Sequence, residues 1–148
     1  MLEKNINEVI RFHGILRTTF TVGEGQPVQV IVPKLTLFLK VVKLKNLPAA
    51  AQEAEALKVS KGEMKHHFDL EDSPLIKTTL SQLSSEEHWL LIPMQHIITD
   101  AWSVGLFVEE LETLYTAFAK VYLNPSLQCR CSTLTLLSGS GSSLMKKP

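Results

Sequence analysis

Cysteine is nearly absent from this 148-residue sequence, and the two that occur, Cys129 and Cys131, cannot make a disulfide scaffold. Net charge is absent too. Fifteen Lys+Arg balance fifteen Asp+Glu, and the pI near 7.0 leaves no electrostatic footprint for nucleic acid or an anionic membrane. Apolar runs are short, such as residues 35–39, far below the roughly 18 residues a spanning helix needs. Met1-Leu2-Glu3-Lys4-Asn5 lacks the basic start and apolar stretch of a secretory signal. No glycine-rich phosphate loop occurs, no Ser sits in a nucleophile elbow, and no aromatic–basic interleaving suits single-stranded nucleic acid. These absences predict a protein of the reduced cytoplasm with no nucleic-acid or membrane partner. What is present, 45% hydrophobic and 20% charged residues, is ordinary for a globular domain.

The balanced total hides a split near residue 120. Residues 1–120 hold all 15 acids against 12 Lys+Arg, a net charge of 12 − 15 = −3. Residues 121–148 hold no acid and three bases, Arg130, Lys146 and Lys147, with six of the twelve Ser and both Cys. Such a shift is expected of a linker or an extended tail.

The body reads as alternating helix and strand. Leu2, Ile6, Val9, Ile10 and His13 recur at helical spacing, predicting a helix over 2–13. Residues 18–22 and 28–32 are β-rich and flank Gly23-Glu24-Gly25-Gln26, a hairpin signal. A further strand is expected over 36–44, and a helix over 49–61 that Gly62 interrupts. Residues 75–83 and 88–94 flank Ser84-Ser85-Glu86-Glu87 as a second hairpin. From Asp100, a candidate N-cap, Phe107, Val108, Leu111, Leu114, Tyr115 and Phe118 return to helical period. The expected class is a layered α/β or α+β body.

Two candidate metal features are weak. His66-His67, read on a strand, point to opposite faces, and Cys129-Arg130-Cys131 has too few neighbouring ligands for a closed site. No metal and no directly bound cofactor is expected. The segment Met94-Gln95-His96-Ile97-Ile98-Thr99-Asp100-Ala101-Trp102-Ser103 carries more. It sets a His just after an apolar strand and an acid just before an amphipathic helix. A His there can serve as a general base, fixed by the scaffold and opened to substrate by the loop. On spacing alone a capped helix with a hydrogen-bonded neighbouring His explains the same residues.

This segment resembles the HHxxxDG motif of the condensation domains of nonribosomal peptide synthetases, in its longer form HHIITDGWS. Arg11-Phe12-His13-Gly14-Ile15-Leu16-Arg17-Thr18-Thr19-Phe20 is similar to that family's RRHExLRTxF block, and Phe68-Asp69-Leu70-Glu71-Asp72-Ser73-Pro74-Leu75 to its FDLxxxPL block. The resemblance covers residues 1–120. It implies a chloramphenicol-acetyltransferase-like fold, of which this stretch would be the N-terminal half without its first strand and helix, with a mixed sheet and flanking helices. It also implies a reaction: amide-bond formation between an acyl or peptidyl thioester and an aminoacyl thioester, both carried on phosphopantetheine arms of carrier proteins. The implied partners are peptidyl or acyl carrier domains, an adenylation domain and the C-terminal half of the condensation domain. His96 matches the motif residue implied as base or positioning group, and Asp100 the structural acid, for which Arg17 is the expected partner. Trp102 matches the family Trp.

The departures are equally definite. The first motif His is Gln95, the motif Gly is Ala101, and Phe12 and Gly14 replace the Arg and Glu beside His13. Gln95 cannot titrate, and Ala101 would be strained if the position needed a left-handed backbone. The chain by itself is expected to be inactive, either a piece of a condensing transferase or a remnant that at most binds a carrier protein or complements a partner. Beyond Lys120 the family pattern disappears. Back-translation of residues 134–148 with suitable codons, shifted to each codon's last base, reads Asp-Phe-Ala-Leu-Trp-Gln-Arg-Gln-Phe-Leu-Asp-Glu-Glu-Thr, a natural family continuation. Residues 121–148 are therefore expected to be an extended tail produced by a frameshift, with its crossover between residues 120 and 128.

Overall fold

The computed structural model describes residues 1–122, with side chains described as far as residue 118. Of the expected tail, residues 121 and 122 are not extended but end the last helix, which runs on past residue 120, and residues 123–148 lie outside the described residues. Among the described residues three α-helices and five strands follow in chain order: α1 (Leu2–Phe12), β1 (Thr18–Gly23), β2 (Gln26–Ile31), β3 (Lys40–Lys43), α2 (Ala49–Met64), β4 (Thr79–Gln82), β5 (His88–Leu91) and α3 (Ala101–Tyr122). They fall into two units, one built from residues 1–38, 68–76 and 94–122 and the other from 39–67 and 77–93.

In the first unit α1 turns Asn5, Ile6, Val9 and Ile10 inward, following the spacing of its apolar residues. It packs against α3, whose buried Phe107 and Leu111 lie one turn apart. After a short 3-10 turn (Gly14–Arg17), β1 and β2 pair antiparallel with Thr18 opposite Ile31 and Gly23 opposite Gln26. Glu24 and Gly25 take φ of 50° and 78°, so the two-residue turn has the left-handed pair that matches strand twist. Phe20 N donates to Leu70 O at 2.8 Å, fixing the Asp-Leu stretch of the second motif block beside β1.

In the second unit β3 and β4 run parallel, Lys40 opposite Thr79, and β4 and β5 run antiparallel, Leu80 opposite Leu90. Parallel neighbours need a crossover, and the chain between β3 and β4 carries α2. Leu44, Ala56 and Leu83 form a buried cluster, with Val42 and Trp89 packed against it. Ser84 Oγ accepts from the amides of Glu86 and Glu87, closing the β4–β5 turn.

Several expectations change in detail. The strand expected over 36–44 is confined to Lys40–Lys43, because the backbone of Leu37 bonds a side chain instead of a strand: Leu37 N donates to Asn7 Oδ1 at 2.7 Å and Asn7 Nδ2 to Leu37 O at 2.9 Å. Gly62 does not interrupt α2, which continues to Met64. The packing of Ala56 and the tie from Glu63 to Lys40 outweigh one weak helix former. The second hairpin is shorter than expected, since Pro93 has no N–H to offer a ladder. Only an isolated bridge, Ile76 with Met94, extends it. His66 and His67 lie just past α2 on exposed irregular backbone and not on a strand.

Candidate functional site

The motif segment begins where Gln95 N donates to Leu75 O at 2.9 Å. A single 3-10 turn, His96–Ile98, follows, closed by Ile98 N to Gln95 O at 3.1 Å and Thr99 N to His96 O at 3.3 Å. Gln95 Oε1 accepts from His96 N at 2.9 Å, so the residue in place of the family's first His caps the turn that carries His96. Ile98 is buried and anchors the turn, while His96 and Ile97 face solvent. This arrangement gives an imidazole a fixed base and an open approach.

Asp100 sits at the start of α3. Its Oδ1 accepts from both the amide and the hydroxyl of Ser103, each at 2.7 Å. The carboxyl titrates below its ordinary range, the Ser103 hydroxyl contributing most and the Ser103 amide next. An acid at N-cap also suits the positive end of the helix. Ala101 is the first helical residue, solvent-facing and without positive φ, so the strain expected from replacing the motif Gly does not arise. Trp102, in the first turn of α3, is 85% exposed.

The expected Arg17–Asp100 pair is not formed. Arg17 lies at the end of the turn before β1, and its fork goes to backbone carbonyls: Nε to Ile10 O at 3.2 Å, and Nη1 to Val32 O and to Pro33 O at 3.1 Å. A guanidinium has five fixed donors, and three convergent carbonyls satisfy it as a carboxylate would. Arg17 therefore ties the end of α1 to the end of β2, and Asp100 serves α3.

One contact in this unit escaped the sequence. His13 Nε2 lies 2.6 Å from Glu110 Oε2, joining the C-cap of α1 to the middle of α3. Glu110 precedes the buried Leu111 and so lies near the packed side of α3, but nothing in its spacing names His13 as its partner. Among the described residues no group of three His, Cys, Asp or Glu could hold a metal ion, and no helix is long and apolar enough to cross a membrane.

Comparison with known proteins gives one consistent result. Residues 1–128 match the family described as Condensation domain. A linear gramicidin synthase from Brevibacillus parabrevis is 42% identical over 118 residues, 80% of this chain and 2% of that protein. Surfactin synthase subunit 2 of Bacillus subtilis (strain 168) is 40% identical over 114 residues, 77% of this chain and 3% of that protein. The first condensation domain of the calcium-dependent antibiotic synthetase superposes with a TM-score of 0.72 at 22% identity, over 85% of this chain and 30% of that one. The chain thus spans a few per cent of these curated relatives and about a third of the solved domain, whose chloramphenicol-acetyltransferase-like fold it shares. With the family matched over most of its length, this chain belongs to the condensation domains of nonribosomal peptide synthetases.

Proposed function

We propose that residues 1–120 act as the N-terminal half of a condensation domain, working with the C-terminal half, two carrier domains and an adenylation domain in the cytoplasm. The reaction joins the amine of an aminoacyl thioester to the carbonyl of an acyl or peptidyl thioester. A C–N bond forms, a C–S bond breaks, and the phosphopantetheine thiol of the donor leaves with a proton. His96 accepts the proton that the attacking nitrogen loses, or holds that nitrogen in line, and the carriers bring both substrates on their own arms. Proximity supplies most of the acceleration at such a site, so a chain holding one wall of it is inactive alone. The observation that supports this reading is the exposed His96 on a turn braced by Gln95 and by the Asp100-capped α3.

The test supplies the full 148-residue chain with loaded donor and acceptor carrier proteins, with and without the remaining part of a related domain in trans. The expected outcome is no amide product from the chain alone, and product with the complement that disappears in His96→Ala. Product that survives His96→Ala removes the role given to His96. Persistent inactivity with the complement, even with Gln95→His, leaves the non-catalytic reading: a remnant that binds carrier protein.

A further inference from the structure

The outward face of α2 carries a feature that the condensation reading does not use. Ala54, Lys58, Lys61 and Lys65 fall on one line along the helix, flanked by Leu57 and Gly62, and together they border an open depression. All six residues are exposed. At 1.5 Å per residue, Lys58 to Lys65 covers about 10 Å with a cation at nearly every turn. Lys58 has an exposed pairing with Glu55 at 3.4 Å, while Lys61 and Lys65 form no ion pair among the described residues. The opposite face, with Ala56 and Ser60, is buried.

Gly62 is the second observation. It lies inside the helix, yet nothing approaches within 4 Å of the position a Cβ would occupy. Glycine is the weakest ordinary helix former. Neither a close contact within the chain nor a positive φ accounts for it here. A missing side chain between lysines lets another backbone come close, as small residues do where helices cross.

We infer that this face docks an acidic helix of a partner protein, its carboxylates at one-turn spacing against Lys58, Lys61 and Lys65 and its apolar side against Leu57. Residues 121–148 cannot be the complement by charge, since their net charge is +3 with no acid. A nucleic acid suits the chain less, because residues 1–120 are net −3 and the stripe bears no aromatic for stacking. Charge complementarity of this kind sets specificity and association rate.

The probe is a synthetic helical peptide with Glu at i, i+4 and i+7 and Leu along the adjoining line, compared with its Glu→Gln isomer. Titrated against the full chain at low salt, the acidic peptide should bind and the isomer should not. Lys61→Glu with Lys65→Glu should weaken binding at least about tenfold with unchanged circular dichroism. Gly62→Leu should weaken it as well, by closing the approach. Equal binding of wild type and the lysine variant would overturn the proposal. So would tighter binding of duplex DNA or of phosphatidylserine vesicles than of the peptide, or a lysine-dependent self-association of the chain without peptide.

Discussion

Replacing Gly62 by Ala should stabilise the protein, although it touches nothing. The position is helical, exposed and free of neighbours within 4 Å, so a methyl group adds no clash and removes no contact. The gain comes from the unfolded chain, which loses freedom, and from the intrinsic preference of Ala for helix. Gly62 lies in the last turn of α2, which ends at Met64, so part of the full propensity difference applies, about 0.5–1 kcal/mol. For a domain of this size that corresponds to a rise of about 2–5 °C in Tm. Gly25 is the control: nothing lies within 4 Å of its Cβ position either, but its φ is +78°. Ala there meets its own backbone, and Gly25→Ala should cost about 1 kcal/mol. Urea denaturation of both variants beside the wild type measures the two signs. A neutral or destabilising Gly62→Ala, or a stabilising Gly25→Ala, would refute the reasoning that backbone conformation alone decides them.

Glu63 links stability to acid. Its burial opposes ionisation, but the hydrogen bond from Lys40 at 2.8 Å, the charge of Lys40, the Thr79 hydroxyl and the charge of Lys77 outweigh it, and its pKa lies below the usual 4.5. A carboxyl depressed on folding contributes stability above its unfolded pKa and loses it as pH falls through the folded one, so the Tm should drop below about pH 4.5 less steeply in Glu63→Gln than in wild type. Leu111→Ala, at a position 2% exposed where α3 packs, should cost about 2–5 kcal/mol by denaturant unfolding; a cost under about 1 kcal/mol would mean the site collapses freely. A double-mutant cycle of His13→Ala and Glu110→Ala should give a coupling of about 0.5–1 kcal/mol, and zero coupling would reduce the 2.6 Å contact to proximity. We also propose the frameshift as the origin of residues 121–148. The coding DNA across residues 128–148, read from each codon's third base, should encode a segment close to QYADFALWQRQFLDEET, and stop codons or unrelated residues there would restore an ordinary linker.

Local physics made much of this protein legible without coordinates. The apolar spacing of Leu2 to Ile10 marks α1, Glu24-Gly25 between β-rich runs marks the first hairpin, and Asp100 before a helical stripe marks the cap of α3. Each is a contest among residues close in sequence, so propensity and capping settle it. Family blocks around Arg17, Pro74 and His96 added the fold and the candidate base. Tertiary structure decided the rest. Asn7 of α1 claims the backbone of Leu37 and shortens a strand, a packed Ala56 and the Lys40–Glu63 tie carry α2 through Gly62, and His13 finds Glu110, 97 residues away. Arg17 shows the division most clearly. Its sequence neighbours name it, but three carbonyls from the ends of α1 and β2 take its donors, and Asp100 turns to the nearer amide and hydroxyl of Ser103. A charged side chain bonds whatever acceptors the fold brings within about 3 Å, and no one-dimensional spacing records which those are.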